Sequence, residues 1–187
     1  LRIKGETVDE ITACARVMRD MAVRLKTNGD VLEIVGTGGD EVGTFNISTT
    51  SAFVIAAGGV TVAKHGNRSV SSKSGAADVL EKLGAKITIT AEQNEKVLND
   101  CGFVFMFAPG YHSSMKYAEP VRKEIGIRTV FSVLGHLTNP AFATMQLMYR
   151  ESFYLSLLSI LICKADIFFK LFICFFAVNK LICKLYS

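Results

Sequence analysis

Short apolar runs alternate with amphipathic runs between residues 31 and 126, and this order constrains the fold more than any other feature. The apolar runs are VLEIV, VTVAKHG, KITIT and FVFMFAP, beginning at residues 31, 60, 86 and 103. Each precedes a stretch with helical spacing: STTSAFVIAAGG, SGAADVLEKLG, AEQNEKVLNDCG and SSMKYAEPVRKEIG. Strands that alternate with helices of this length form a parallel sheet joined by right-handed crossovers. We therefore expect an α/β fold, a parallel-sheet domain with helices on both faces.

Composition narrows the class of protein further. The chain has 187 residues, half of them hydrophobic, which suffices for one sizeable core and an appendage. Its net charge is only +4, and acids and bases are interspersed, so we expect no nucleic-acid partner. An odd count of five cysteines without CxxC spacing favours reduced thiols and an intracellular compartment. No basic-then-apolar leader is visible, and we expect a cytoplasmic protein, or a plastid one if the source is a plant.

The first amphipathic run predicts a helix over residues 7 to 26, TVDEITACARVMRDMAVRLK. Thr7 and Glu10 have the spacing of a capping box. Val8, Ile11 and Met18 then recur on one helical face. This helix precedes the first strand and indicates a separate element at the start of the chain.

The loop VGTGGDEVGTFNIST, residues 35 to 49, lies between a predicted strand and a predicted helix. In open parallel sheets the ligand crevice lies at the carboxyl ends of the strands, where helix N–H groups are unsatisfied. Glycines let the main chain approach an anion, and Ser48, Thr49 and Thr50 add hydroxyl donors. The alternative is a glycine-rich turn before a buried helix, because neither a Walker loop nor GxGxxG is matched.

A second polar loop, KHGNRSVSSKSG at residues 64 to 75, also follows a strand and precedes a helix. Lys64, Arg68 and Lys73 are interleaved with serines, a mixture that suits a polyphosphate. The alternative is a solvated Ser/Lys loop, and a lone histidine such as His65 is more often structural than catalytic. Two such loops on neighbouring strand ends would hold two ends of one ligand.

Five motifs in this order carry a resemblance to a known family: GTGGD, TFNIST, KHGNRSVSSKSGAADVLEKLG, FAPGYHSSMKYAEPVRKEIGIRTVF and LGHLTNPA. The chain resembles the anthranilate phosphoribosyltransferase family over residues 1 to about 148. The resemblance implies three parts: a remnant of a small helical domain at 1–27, an incomplete α/β domain that binds the phosphoribosyl donor at 28–148, and an aberrant hydrophobic tail at 149–187. Pairing through the helical domain in the family implies a homodimer.

The resemblance implies transfer of the 5-phosphoribosyl group from phosphoribosyl pyrophosphate (PRPP) to anthranilate, in tryptophan biosynthesis, with Mg²⁺ as cofactor. It implies donor binding by Gly36, Gly39, Asp40, Thr44, Asn46, Ile47, Ser48, Thr49, Lys64, His65, Gly66, Asn67, Arg68, Ser69, Val70, Ser71, Ser72 and Ala76. Asn67 and Arg122 match positions that hold anthranilate, and Ser48 matches a magnesium ligand. No nucleophilic side chain is implied, because positioning and charge neutralisation are sufficient for this reaction.

The stretch after Pro140 departs from the family. It contains no adjacent Asp-Glu pair, which the resemblance would require for magnesium, and it is rich in Phe, Ile, Leu and Lys. Lys164, Asp166 and Lys170 interrupt any bilayer-spanning run, so we expect no membrane segment. The composition favours a translated frameshift or unspliced sequence from an AT-rich gene. The alternative function is therefore an inactive fold fragment that retains partial phosphate binding.

Overall fold

The computed structural model describes residues 1, 3–36, 46–68, 75–127, 129–149 and 159–161. Most of the first predicted loop and residues 69–74 of the second lie outside these ranges, as does most of the predicted tail.

The centre of the molecule is a five-stranded sheet. Its strands are β1 (Leu32–Gly36), β2 (Val62–Gly66), β3 (Phe103–Phe107), β4 (Met145–Tyr149) and β5 (Ser159–Leu161). They lie in the order β3-β2-β1-β4-β5, and the first four are parallel. This confirms the predicted α/β fold, because parallel neighbours require crossover connections.

Within the described ranges, eight helical segments connect or flank the strands. They are α1 (Val8–Asp20), α2 (Ile47–Ala57), α3 (Ala76–Lys82), α4 (Ala91–Cys101), α5 (Ala108–Tyr111), the 3₁₀ helix η1 (Ser113–Tyr117), α6 (Glu119–Ile125) and α7 (Phe131–Leu134). The capping box of α1 is present: Thr7 Oγ1 accepts from Glu10 N at 3.3 Å, and Thr7 N donates to Glu10 Oε2 at 3.0 Å. No residue of α1 is buried.

Helices cover both faces of the sheet. On one face Leu32, Ile34 and Val62 pack against residues of α2, Ala52 and Ile55. On the other face Ala63, Val104 and Met106 pack against Leu98 of α4. Successive strand residues point to opposite faces, so the near-continuous apolar strand runs are what a sheet buried on both sides requires.

The predicted strand KITIT is wrong. Residues 85–90 form an irregular connection between α3 and α4. Ile87 is buried against Leu80 and Phe105, whereas Lys86 and Thr88 are exposed, so the alternation reflects one-sided burial and not strand pairing. Thr90 serves as the N-cap of α4 and accepts from Gln93 N at 3.2 Å.

The predicted helix SSMKYAEPVRKEIG is divided into η1 and α6. Pro120 lies in the first turn of α6, where a missing N–H costs nothing. A proline in the interior of a helix would remove a hydrogen bond and clash with the preceding turn, so the continuous helix is excluded.

Three residues of the predicted tail, Ser159–Leu161, form β5 and pair antiparallel with β4. The nature of the tail as a whole stays a prediction. No helix within the described ranges is long and apolar enough to cross a membrane.

Candidate anion-binding site

The candidate site lies at the carboxyl ends of β1 and β2, where the sheet meets the start of α2. Gly36 and Gly66 are the last residues of the two strands, and both predicted loops leave the sheet there. The α2 helix packs on β1 and β2 through Ala52 and Ile55, which brings its first turn to this edge. The described ends of both loops therefore lie at the carboxyl edge of the sheet, where open parallel sheets bind their ligands.

The start of α2 is organised by Asn46. Its Oδ1 accepts from Thr49 N at 3.0 Å and from Ser48 Oγ at 3.2 Å, so the side chain caps the helix. Thr49 is 1% exposed, and its hydroxyl has no hydrogen-bond partner among the described residues. Ile47 is the first helical residue and is half-buried. The first turn thus offers backbone N–H groups and one unused buried hydroxyl.

Lys64 extends from β2 to the same point. It is 2% exposed, and its Nζ donates to Ile34 O at 2.7 Å and to Ser48 Oγ at 3.1 Å. The ammonium therefore lies beneath the first turn of α2. Burial lowers the pKa of Lys64 to about 8, although the charge of Glu33 acts in the opposite direction.

Two positive elements meet here. The helix amino terminus carries a partial positive charge, and the Lys64 ammonium makes no ion pair with a carboxylate in the described part of the chain. Buried charges in proteins are normally paired. A bound anion would supply the missing counter-charge, so the geometry favours an anion-binding site.

Two buried histidines lie near the end of β2, and His65 points to the face opposite Lys64. The rings of His65 and His112 are edge-on, with centroids 5.0 Å apart, and each Nε2 lacks a hydrogen-bond partner in the described structure. His65 Nδ1 lies 3.4 Å from Gly135 O, a contact that requires a proton on Nδ1. Burial, followed by the neighbouring His112, lowers the pKa of His65 to about 3. His65 is therefore a neutral ring and not a cation for phosphate.

Gly66 is required for packing at the end of β2. A Cβ at this position would lie 2.9 Å from Phe105 Cε2 and 3.5 Å from the Cβ of Ala76, the first residue of α3. The glycine therefore lets α3 and β3 approach the strand that carries Lys64.

Replacing Gly66 with alanine is expected to lower the free energy of unfolding by about 1–3 kcal/mol, because Phe105 is buried and its ring must move. Urea denaturation measures the loss. Gly110→Ala is the matched control, since no described atom lies within 4 Å of its added Cβ. Equal stability of the two variants would contradict this role.

The remaining described residues of the second loop are turned toward α3. Asn67 Oδ1 accepts from Arg68 N at 2.7 Å. The Arg68 guanidinium pairs with Glu81, Nη2 to Oε1 at 2.8 Å, and lies 4.0 Å from Asp78. Arg68 is exposed, so binding a phosphate would require it to exchange these carboxylates for the ligand.

Arg122 lies in α6 and is half-buried. Its guanidinium stacks on Phe131, 5.5 Å from the ring centroid. Phe131 begins α7, and Gly135 directly after α7 contacts His65 in β2. This series of contacts connects Arg122 to β2, the strand that directly precedes Asn67.

Seven predicted donor-binding residues lie outside the described ranges: Gly39, Asp40, Thr44, Ser69, Val70, Ser71 and Ser72. Their roles stay predictions, as do those of the described site residues.

The described residues do not form a magnesium cage. Ser48 Oγ is already engaged by Lys64 and Asn46, and a cation 3.1 Å away disfavours a second one. No cluster of three or more His, Cys, Asp or Glu suitable for a metal occurs within the described ranges. Mg²⁺ is usually bound through one or two carboxylates and substrate phosphates. Ser48 alone therefore does not fit a protein-held ion.

Sequence reasoning missed a polar cluster on the opposite face of the sheet. Glu33 in β1 is 2% exposed, and its Oε2 accepts from Gln146 Nε2 of β4 at 2.8 Å. Burial raises the pKa of Glu33 to about 7, against the effects of amide hydrogen bonds and of Lys64. The sequence carried one signal of this cluster, the acid in the centre of the apolar run VLEIV. An isolated buried carboxylate is costly, so a buried acid at this position indicates a polar partner.

Glu33→Gln is expected to stabilise the protein by about 3 kcal/mol at pH 8. The pKa of Glu33 in the folded protein is about 7, above the ordinary 4.5. The contribution of Glu33 to stability is therefore full below pH 4.5 and is lost as the pH rises through 7. Glutamine retains the shape without this loss. Urea unfolding between pH 5 and 8 measures it, with exposed Glu119→Gln as the control. If the free energy of unfolding changed with pH in the same way in wild type and Glu33→Gln, the raised pKa of Glu33 would be contradicted.

Comparison with known proteins gives one family and many relatives. The model of the "Glycosyl transferase family, a/b domain" matches residues 28–153. An anthranilate phosphoribosyltransferase of Ruminiclostridium cellulolyticum is 64% identical over 148 residues, covering 79% of this chain and 43% of that protein. The family match begins one residue after the end of the predicted helical remnant and includes β1 to β4.

Solved structures agree with the fold. The anthranilate phosphoribosyltransferase of Thermus thermophilus is 48% identical with a TM-score of 0.76, covering 81% of this chain and 46% of that one. That of Saccharomyces cerevisiae, in complex with PRPP and Mg, is 33% identical with a TM-score of 0.69, covering 78% and 41%. The chain thus spans less than half the length of each of these relatives.

Proposed function

This chain belongs to the glycosyl transferase family through its α/β domain, and from that membership we propose that it transfers the 5-phosphoribosyl group of PRPP to the amine of anthranilate. The amine nitrogen forms a bond to C1 of the ribose. The bond from C1 to the pyrophosphate oxygen breaks, pyrophosphate leaves with the electron pair, and the amine loses a proton.

The observation that carries the proposal is the buried ammonium of Lys64 beneath the first turn of α2. Pyrophosphate gains negative charge as the C1–O bond breaks, and a preorganised cation with helix N–H groups stabilises developing charge of this sign. The Lys64 ammonium is fixed by Ile34 O and Ser48 Oγ and needs no reorganisation when the charge develops. No nucleophilic side chain is part of the proposal.

The relatives support the same reaction. The resemblance to anthranilate phosphoribosyltransferases rested on five motifs, and it is confirmed by relatives that bear this name at 54–64% identity. The Saccharomyces cerevisiae structure contains PRPP and Mg. Because the chain spans less than half of these proteins, the activity of the whole enzyme is proposed here for this chain.

For the acceptor, Asn67 and Arg122 remain the proposed residues. A guanidinium can pair with a carboxylate through two parallel hydrogen bonds, and anthranilate carries one carboxylate. In the described structure the Arg122 guanidinium contacts a ring, and no ion pair of Arg122 occurs among the described residues. It is therefore available to a ligand.

Magnesium stays a prediction, supported by the yeast enzyme, whose complex with PRPP includes Mg. When bound, it would supply further charge neutralisation to the pyrophosphate. No step of the proposed mechanism is derived through it, because the described residues do not fit a protein-held ion.

The test is isothermal titration of the full chain with PRPP in the presence of Mg²⁺, followed by anthranilate fluorescence on the same sample. Heat of binding together with loss of anthranilate fluorescence would support the transferase. Binding without consumption of anthranilate would support the alternative, a fold fragment with partial phosphate binding, which the comparisons do not favour. The absence of both signals would overturn both the transferase and the phosphate-binding fragment. The predicted homodimer and compartment are separate questions.

A further inference from the structure

A cleft of about 190 Å³ lies where the end of α1 meets the first residues of β1 and β4. Glu33 and Gln146 are the second residues of their strands, whereas the candidate anion site is at the carboxyl ends. The distance along β1 from Glu33 to Gly36 is roughly 10 Å. Glu33 also faces away from α2, since its neighbours Leu32 and Ile34 pack on that helix. The cleft is therefore separate from the candidate anion site.

Two lining groups of opposite charge have unused hydrogen-bonding capacity. Glu33 is 2% exposed, and its Oε1 has no hydrogen-bond partner within the described ranges. The same holds for the buried Nε of Arg19 at the end of α1. A buried polar atom without a partner is costly, and most such atoms in native proteins are satisfied by protein, water or ligand.

The neighbouring polar groups are already engaged. Asn139 donates from Nδ2 to Ala63 O at 3.0 Å, accepts from Ala141 N at 2.8 Å and also acts on the Glu33 carboxyl, whose pKa it lowers. Gln146 Nε2 donates to Glu33, and Thr144 Oγ1 lies 3.2 Å from Asp30 Oδ1. Glu33 Oε1 and Arg19 Nε therefore determine which ligand chemistry the cleft can satisfy.

The arginine is held in place without using its Nε. Two guanidinium groups lie over the Phe142 ring, that of Arg19 at 4.7 Å and that of Arg24 at 4.1 Å from its centroid. The segment after α1 is tied to the loop before β4 by Leu25 N, which donates to Pro140 O at 3.1 Å. The cleft is thus a formed junction between α1 and the sheet.

We propose that this cleft binds a small α-amino acid as a zwitterion, whose ammonium donates to Glu33 Oε1 and whose carboxylate accepts from Arg19 Nε. A zwitterion satisfies both unused atoms and matches both charges, whereas a simple anion or a neutral amide satisfies only part of this requirement. The volume corresponds to about six waters, which is enough room for a small amino acid such as alanine. This site goes beyond phosphoribosyl transfer and uses none of the residues assigned to PRPP or anthranilate.

The test is NMR titration of the ¹⁵N-labelled full chain with three separate probes: L-alanine, acetamide and acetate. Alanine is expected to bind with a millimolar dissociation constant, at least about tenfold tighter than either other probe, and to shift amide signals of the cleft residues. Glu33→Gln and Arg19→Gln should each weaken alanine binding at least about tenfold, the effect of losing a charged hydrogen bond. Arg16→Gln, on the exposed side of α1, is the matched control and should leave binding unchanged.

The pH dependence adds an independent readout. The charged or titratable groups around Glu33 are Arg19 from α1 and His136 from the segment before β4, which line the cleft, and Lys64 from β2, which acts on Glu33 from the opposite face of the sheet. An ammonium ligand requires ionised Glu33, and burial raises the pKa of this carboxyl to about 7. Alanine affinity should therefore increase about tenfold from pH 6 to pH 8 in the wild type and stay constant in Glu33→Gln.

Three results would overturn the proposal. Equal affinities for the three probes would show that zwitterion recognition is absent. No chemical-shift response would show that the cleft holds water only. Unchanged alanine binding in Arg19→Gln would also overturn the proposal, even if Glu33→Gln failed to fold. The titration uses no PRPP, so its failure is distinguishable from failure of the proposed transferase reaction.

Discussion

Lys64→Met is expected to lower the affinity for PRPP about 100-fold without destabilising the fold. The Lys64 ammonium is the buried cation of the candidate site, and charged hydrogen bonds contribute about 1.5–3 kcal/mol each. A loss of about 3 kcal/mol corresponds to about 100-fold in the dissociation constant. Isothermal titration with PRPP and Mg²⁺ measures it. Lys96→Met, an exposed lysine of α4, is the matched control. Equal PRPP affinity in the two variants would remove Lys64 from the site.

The stability of the same variant separates binding from folding. The folded pKa of Lys64 is about 8 against an ordinary 10.5, which corresponds to a cost of about 3 kcal/mol at pH 7. Methionine removes this cost but also the hydrogen bonds to Ile34 O and Ser48 Oγ, so a net gain of about 1 kcal/mol is expected. Wild-type stability should rise between pH 8 and 10.5, where the unfolded chain binds more protons. Lys64→Met should lack that rise.

The position of Lys64 shows what the sequence could and could not predict. The alternation of apolar and amphipathic runs predicted β1, β2 and β3 and the helices α2, α3 and α4, because burial on both sheet faces imposes that pattern. The composition of the second polar loop, by contrast, placed Lys64 among the cations of that loop. In the structure Lys64 lies within β2, pointing toward α2, and only the face on which it lies makes it a buried cation.

Other differences arose from partners that are distant in sequence. Glu33 is stabilised by Gln146, 113 residues away, and no local pattern indicates such a contact. Arg68 was assigned to phosphate from its loop, yet its guanidinium pairs with Glu81 on α3. KITIT had strand-like alternation but no neighbouring strand to pair with in the described sheet. Periodicity reports which side of a segment is buried, and tertiary contacts decide what buries it.

Acidification is expected to destabilise the protein through His65. The pKa of this ring is lowered from 6.5 to about 3, mainly by burial and then by His112. Each pKa unit is worth about 1.4 kcal/mol, so the neutral ring contributes up to about 5 kcal/mol, which is present above pH 6.5 and lost as pH falls toward 3. About 2 kcal/mol of this should be lost between pH 6.5 and 5.

Comparison of urea unfolding for wild type and His65→Gln at pH 7, 6 and 5 isolates this contribution. Glu33 titrates in the same window with the opposite sign, so the slope of one curve mixes the two groups, whereas the difference between the curves does not. If His65→Gln kept the wild-type slope, the pKa of the ring would not differ between the folded and unfolded states, and the neutral, buried ring at the end of β2 would be excluded.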